Sequence, residues 1–436
     1  MSDHVQLFLD FVRHSPSAFH TAQTIADALD AQGFTRLQEN RPWTIVPGGR
    51  YYVTRNRSSI VAFAVPGSGF AHFQIVSSHS DSPTFKLKPL CEDAAAGGRY
   101  LRLNVERYGG MIMSTWLDRP LSVAGRVLVR EGSALTTKLV DLGRDAVLIP
   151  NMPIHFNREV NSGYEYNAQV DLLPLYGGED AAGSLDAEIA AACGVRSEDV
   201  VSRDLFLYNR MPGSVWGARR EFFSCPRIDD LECAYTSLAA FLASPAEAHI
   251  NVCAVLDNEE VGSGSKQGAD STFLGDVLVR AGESLGASDS EIRAAIASSF
   301  MASADNAHAV HPNHPEKYDA QNRTFMNGGV VIKHNANQKY TTDAVSCAIF
   351  ATLCEGAGVP VQHFSNRSDV LGGSTLGNIA NTHTSMNTVD IGLAQLAMHS
   401  SYETAGCLDA AYMVRALTAL YTRDIRMDAD GAFSIL

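Results

Sequence analysis

A chain of 436 residues, 45% hydrophobic and 19% charged, exceeds what one core organises well and is far from disordered composition, so two structural domains are expected. Its formal net charge of -14, with no run rich in Lys or Arg, excludes a binder of phosphate backbones; nucleic acid is not an expected partner. No stretch approaches the ~18 apolar residues of a membrane span, and Met1-Ser2-Asp3-His4 begins no basic-then-apolar leader, so the expectation is a cytoplasmic protein with no membrane partner.

From His4 to Phe34 the chain carries helical signals: Ser17 as a cap, Ala18, Ala22, Ile25 and Leu29 at helical spacing, and Gly33 as a stop. Two strand-like runs follow, Ile60 to Val65 and His72 to Ser77, separated by Pro66-Gly67-Ser68-Gly69, which is turn chemistry of the hairpin kind. From about Cys91 to Pro226 short strands such as Leu101 to Val105 and Gly125 to Val129 alternate with loops rich in Gly, Asn and Asp, which predicts a mainly β insertion. After Ile228, a helix over Leu231 to Leu242, a buried strand Ile250 to Leu256, a helix near Ser271 to Leu285 and a strand Ser299 to Ala302 indicate helices covering a largely parallel sheet. The eight cysteines are scattered without a CxxC pair, as expected of reduced core thiols.

Five short stretches place His, Asp or Glu just after an apolar run or in a loop, where ligands of open α/β sheets bind. In Ser78-His79-Ser80-Asp81, two positions share a face of an extended segment, so His79 can bind a metal while Asp81 accepts the proton of its other ring nitrogen. Asp229 and Asp230 stand at a helix entry, where capping alone would explain one of them. Glu259 and Glu260 are adjacent carboxylates after the strand ending at Leu256; burying both is expensive unless a cation or separate roles relieve the repulsion. Asp305 and His399 complete the inventory, and His308 and His311 sit nearby in a loop-like context. Two imidazoles and three carboxylates with no thiolate suit two zinc ions bridged by one carboxylate, and manganese or cobalt would accept the same donors.

These motifs resemble the M18 aminopeptidases from end to end: VERYGG and STWLDRPLSVAGRV from position 105 on, IPNMPIHFNREVN at 149–161, PRIDD at 226–230, DNEEVGS at 257–263, DNAHAVHPNH at 305–314 and QLAMHS at 395–400. The resemblance implies an α/β fold, a zinc-peptidase (phosphorylase/hydrolase-like) α/β/α catalytic domain over residues 1–90 and 228–436, interrupted by a β-rich dimerisation domain over 91–227. It implies removal of an N-terminal residue, preferentially acidic, from peptides with a free N-terminus. His79 and Asp305 would hold one zinc, Glu260 and His399 the other, and Asp229 would bridge them. Glu259 would be the general base acting on a metal-bridging water, Asp81 would tune His79, and His155 would stand near the reacting carbonyl, within or across subunits. Lys333, with Tyr340 and Arg367 behind it, would meet the acidic side chain. Family members build tetrahedral homo-oligomers, commonly dodecamers assembled from dimers. Two departures stand out: Asp230 where related sequences commonly have Asn, and HSDSP where HTDSP is common.

Two other functions fit parts of this pattern. A deacylase or carboxypeptidase of related fold would use the same ligands but would not need a free substrate N-terminus. A scaffold that kept the fold and lost its chemistry would have lost Glu259 or a ligand, and all are present.

Overall fold

The computed structural model describes residues 3–67 and 70–436; Ser68 and Gly69 of the expected turn lie outside them. The helical lead-in is two helices, Asp3–His14 and Ala18–Ala31. Ser17 precedes the second in extended conformation, but its hydroxyl meets His20 Nδ1 at 2.8 Å instead of capping an amide.

The principal sheet has nine strands in the order Thr35–Leu37, Arg50–Arg55, Ser59–Ala64, Ile250–Leu256, Phe73–His79, Phe300–Ala304, Asn387–Gly392, Val330–His334 and Val361–Ser365. The middle four, from Ile250–Leu256 to Asn387–Gly392, are parallel. Ser59–Ala64 and Phe73–His79 therefore do not form the expected hairpin. Ile250–Leu256 lies between them, antiparallel to the first and parallel to the second. All three are buried along their whole length, so inserting the third strand removes it from water while completing the hydrogen-bond ladders of both neighbours.

Side chains of these strands alternate between two cores, as a period of two requires. Ile60, Ala62, Cys253 and Val255 face helices Asp3–His14, Ala18–Ala31, Ile228–Ala243, Ala344–Gly356 and Asp409–Thr422. Val61, Phe63, Val252, Ala254 and Leu256 face the other side, packed by Phe273–Ser284 and by Leu376 and Ala380 of Leu376–His383. The result is an α/β/α sandwich.

A separate six-stranded sheet, apart from its short Leu175–Gly178 edge, is built from longer strands: Ala134–Asp141, Leu121–Glu131, Val200–Asn209, Thr84–Ala95 and Tyr100–Tyr108, all antiparallel to their neighbours. Phe85, Leu103, Val123, Val127, Leu205 and Leu207 form its core, closed by Leu185 and Ile189 of the helix Ser184–Cys193. That helix, flanked by Gly183 and Gly194, falls within the stretch expected to be mainly β. A third, five-stranded sheet joins Phe222–Cys225, Glu403–Gly406 and Ala394–Leu396 to the edge of the sandwich. Among the described residues no helix is long and apolar enough to cross a membrane.

Candidate metal centre

Three of the candidate side chains come from the carboxyl ends of adjacent parallel strands. His79 ends Phe73–His79, Glu260 follows Ile250–Leu256 on the short turn Glu259–Val261, and Asp305 follows Phe300–Ala304. Asp229 and Asp230 lie in the first turn of Ile228–Ala243, but with non-helical backbone angles. That departure from helix turns them inward, and capping does not account for either. His399 comes from the turn after Ala394–Leu396, at a positive φ of 67°.

Asp229 stands between the two imidazoles: its Oδ1 is 3.3 Å from His79 Nε2, and its Oδ2 is 3.5 Å from His399 Nε2. Asp305 Oδ1 lies 3.8 Å from His79 Nε2, and Glu260 Oε2 lies 3.4 Å from His399 Nε2. The donor atoms form overlapping groups: His79, Asp229, Asp230 and Asp305 in one, and Asp229, Glu260 and His399 in another, with Asp229 common to both. Glu259, on the same turn as Glu260, forms a third overlapping group with His79 and Glu260.

His79 Nδ1 lies 3.1 Å from the backbone carbonyl of Asp81 and 3.5 Å from its carboxylate. The carboxylate has other work: it accepts hydrogen bonds from the Tyr108 hydroxyl at 2.7 Å and from the amides of Glu259 and Glu260 at 3.1 and 3.2 Å. Asn258, at a φ of 65°, sets the turn that points both amides at Asp81, and its side chain donates to Tyr108. Tyr108 and Gly109 come from the end of a strand in the six-stranded sheet. Gly109 has a φ of 77°, and a Cβ there would meet Glu260 at 3.2 Å, so the close approach requires glycine.

Glu403 escaped the sequence-level inventory. It is buried, and its two carboxylate oxygens accept the backbone amides of His399 at 2.7 Å and Asp229 at 3.1 Å. The available signal was an acid four residues after a candidate histidine. Glu232 and Asn306, likewise unflagged, form a buried pair next to Asp305, with Asn306 Nδ2 donating to Glu232 at 3.1 Å.

Lys333 is buried, with its ammonium 3.7 Å from Asp305 Oδ2 and 5.5 Å over the ring of Tyr340. Arg367 lies apart from them, bound to Asp369 and to the carbonyl of Glu316. His155 is exposed on a turn between exposed Ile154 and Phe156 and does not join the cluster in this chain. His308 packs edge-on against Phe364, and His311 tilts against His314; neither joins the cluster.

A bound cation would relieve the crowding of carboxylates here. Burial pushes Asp230 and Glu260 well above the carboxylate range and Glu259 to about 8, with neighbouring acids adding to the shift. Against the effect of burial, the surrounding carboxylates raise His79 well above its ordinary value, and Asp229 raises His399 to about 9. Asp229 Oδ1 and Glu260 Oε1 are buried without hydrogen-bond partners. Bonds of about 2.0–2.1 Å around a tetrahedral zinc separate adjacent donors by about 3.3 Å, close to the spacings above. The donor set fits zinc.

A buried His and carboxylate cluster beyond the strand ends of an α/β sandwich defines a metal-dependent hydrolase. The family model for aminopeptidase I zinc metalloprotease (M18) matches residues 11–421. A Clostridium acetobutylicum relative named probable M18 family aminopeptidase 2 is 46% identical over 422 residues, covering 95% of this chain and 97% of its own. Among solved structures, that of the Ape4 and Nbr1 complex superposes with a TM-score of 0.93 at 36% identity, over 96% of this chain and 85% of that one. The S. cerevisiae mApe1 dodecamer superposes at 0.85 and 27% identity, over 96% of each. The chain belongs to the M18 family of zinc metalloproteases and is a metalloaminopeptidase.

Proposed function

We propose that this aminopeptidase removes an acidic residue, Asp or Glu, from the free N-terminus of peptides, using two zinc ions and Glu259 as general base. The observation that carries the dinuclear reading is Asp229, whose two oxygens face two different imidazoles, one beside Asp305 and one beside Glu260. His79 and Asp305 would hold one ion and His399 and Glu260 the other, with Asp229 shared. Manganese or cobalt suits the same donors. Zinc, when bound, supplies Lewis acidity that polarises the scissile carbonyl and eases deprotonation of water.

The chain's own groups do the rest. Glu259, grouped with His79 and Glu260 on the turn after the central strand, is placed to remove a proton from the attacking water and return it to the leaving amine. Asp81 holds the Glu259–Glu260 turn by both amides and steadies the His79 ring through its carbonyl. Lys333, beside Asp305 and braced by Tyr340, is the cation proposed to favour an acidic substrate side chain; Arg367, tied to Asp369, is the weaker candidate. His155 is proposed to serve the site of a neighbouring subunit as an oxyanion donor, in keeping with its exposure among apolar Ile154 and Phe156. That role goes with a homo-oligomer, a dodecamer built from dimers through residues 91–227, as the S. cerevisiae mApe1 dodecamer suggests. A cytoplasmic location completes the proposal.

The test is hydrolysis of free and N-acetylated Asp, Glu, Leu and Lys amides, before and after chelation and zinc restoration. Chelator-sensitive release from free Asp and Glu amides is expected. Preference for Leu or Lys amides would remove Lys333 from its role, and activity on blocked substrates alone would overturn the aminopeptidase mechanism in favour of a deacylase.

A further inference from the structure

At the opposite end of the central sheet, His72 precedes strand Phe73–His79, His249 precedes the adjacent Ile250–Leu256, and Asp424 precedes the C-terminal hairpin strand Ile425–Ala429. These residues are 3%, 2% and 9% exposed. Their donor atoms converge: Asp424 Oδ1 is 3.3 Å from His72 Nε2 and 3.8 Å from His249 Nδ1. All three atoms are buried and lack hydrogen-bond partners.

Asn251 Oδ1, nearby, is likewise buried without a hydrogen-bond partner, while other polar atoms of the cluster are engaged. Asp424 Oδ2 accepts from Arg426 Nε at 2.6 Å. His249 Nε2 lies 3.1 Å from the Tyr421 carbonyl, so that side of the ring is engaged and Nδ1 faces Asp424. Gln74, whose amide nitrogen also touches His249 Nε2 at 2.8 Å, accepts from the Ile425 amide at 2.8 Å and so fixes the same segment.

We infer that His72, His249 and Asp424 form a second, structural metal site, independent of the catalytic centre, that takes a divalent cation of zinc type with solvent as a fourth ligand. The His72–Asp424 spacing matches the ~3.3 Å edge of a tetrahedral zinc site, the His249–Asp424 spacing of 3.8 Å is wider, all three atoms lie within 4.8 Å of one another, and two imidazoles with one carboxylate are zinc donors. Seven residues of strand at about 3.3 Å each separate His72 from His79, so the two sites lie about 20 Å apart. The ion would clamp the hairpin Ile425–Ile435 to the lower ends of two central strands.

The experiment counts zinc per chain in the purified wild type, in His249→Gln and in Asp424→Asn, and locates zinc in wild-type crystals by anomalous scattering at its absorption edge. Expected are one zinc fewer per chain in each variant, a lower Tm, and hydrolysis of peptide amides within about twofold of wild type, together with an anomalous peak about 2 Å from His72 Nε2, His249 Nδ1 and Asp424 Oδ1. Unchanged zinc content in a folded variant would overturn the inference. If neither variant folds, the crystals decide alone: no peak at that point overturns it. The difference between wild type and variant does not depend on how many ions the catalytic centre holds.

Discussion

Replacing Glu403 by Gln tests how far the centre depends on backbone positioning. The carboxylate now accepts one amide with each oxygen, from His399 at 2.7 Å and from Asp229 at 3.1 Å, and it is 1% exposed. Gln offers one accepting oxygen and one donating NH2, so one amide keeps its partner and the other faces a second donor. A hydrogen bond to a charged acceptor contributes about 1.5–3 kcal/mol, and a buried amide left unsatisfied costs about 1–3 kcal/mol. The variant is expected to lose roughly 2–4 kcal/mol of stability and to bind zinc about 10–100-fold more weakly, as outer partners of ligands do. Because Glu403 touches amides and not the candidate donor atoms themselves, kcat at saturating zinc should stay within about tenfold of wild type. Zinc affinity is read by chelator competition and stability by thermal unfolding with and without zinc. A folded variant with zinc affinity within twofold of wild type and an unchanged Tm would refute the reasoning.

Glu259→Gln should retain wild-type zinc content and lose about 10²–10⁴ in kcat, the usual contribution of a general base; near-normal turnover would remove Glu259 from the role. Asp230→Asn should keep kcat/KM within about threefold. Asp230 Oδ2 accepts the His79 amide at 3.0 Å while Oδ1 has no partner, a pattern an amide carbonyl reproduces without charge; a loss beyond a hundredfold would contradict it. Burial lifts Glu232 from 4.5 to about 8, so the unfolded chain gives up this proton first and the folded state loses stability as pH rises from about 4.5 to 8. In Glu232→Gln that component of the slope is absent, and the fall in urea-unfolding stability between pH 5 and pH 8 should shrink; an unchanged slope would rule it out.

The candidate donors His79, Glu260 and Asp305 were legible because each follows an apolar run that becomes a central strand, and a strand end is where a side chain can leave the sheet without breaking its ladder. Asp229 was harder, because an acid at a helix entry is ordinarily a cap, and only its non-helical backbone separates the two roles. Glu403 and Glu232 were illegible for another reason. Glu403 has one near partner, the His399 amide, but its other partner Asp229 lies 174 positions away and that of Glu232 lies 74 away, and an acid at a strand start or in a helix looks like surface charge until the fold buries it. The expected hairpin after Ala64 failed on the same ground: local turn chemistry does not reveal a distant strand that wedges between its neighbours. Tyr108 stood inside a recognised motif, yet its bond to Asp81 could not be read from spacing.

The loop that carries Tyr108 and Gly109 from the six-stranded sheet into the centre makes that sheet a poor candidate for transplantation. The Ile112 amide binds the His399 carbonyl at 2.9 Å, and Tyr108 binds Asp81, so the six-stranded sheet is stitched to the sandwich at the reactive end. A chimera that exchanges the strands but leaves residues 108–112 behind would import a foreign wall into the centre. A change in the sheet's shape that moved this loop would press Gly109 against Glu260, where a Cβ would already stand 3.2 Å away.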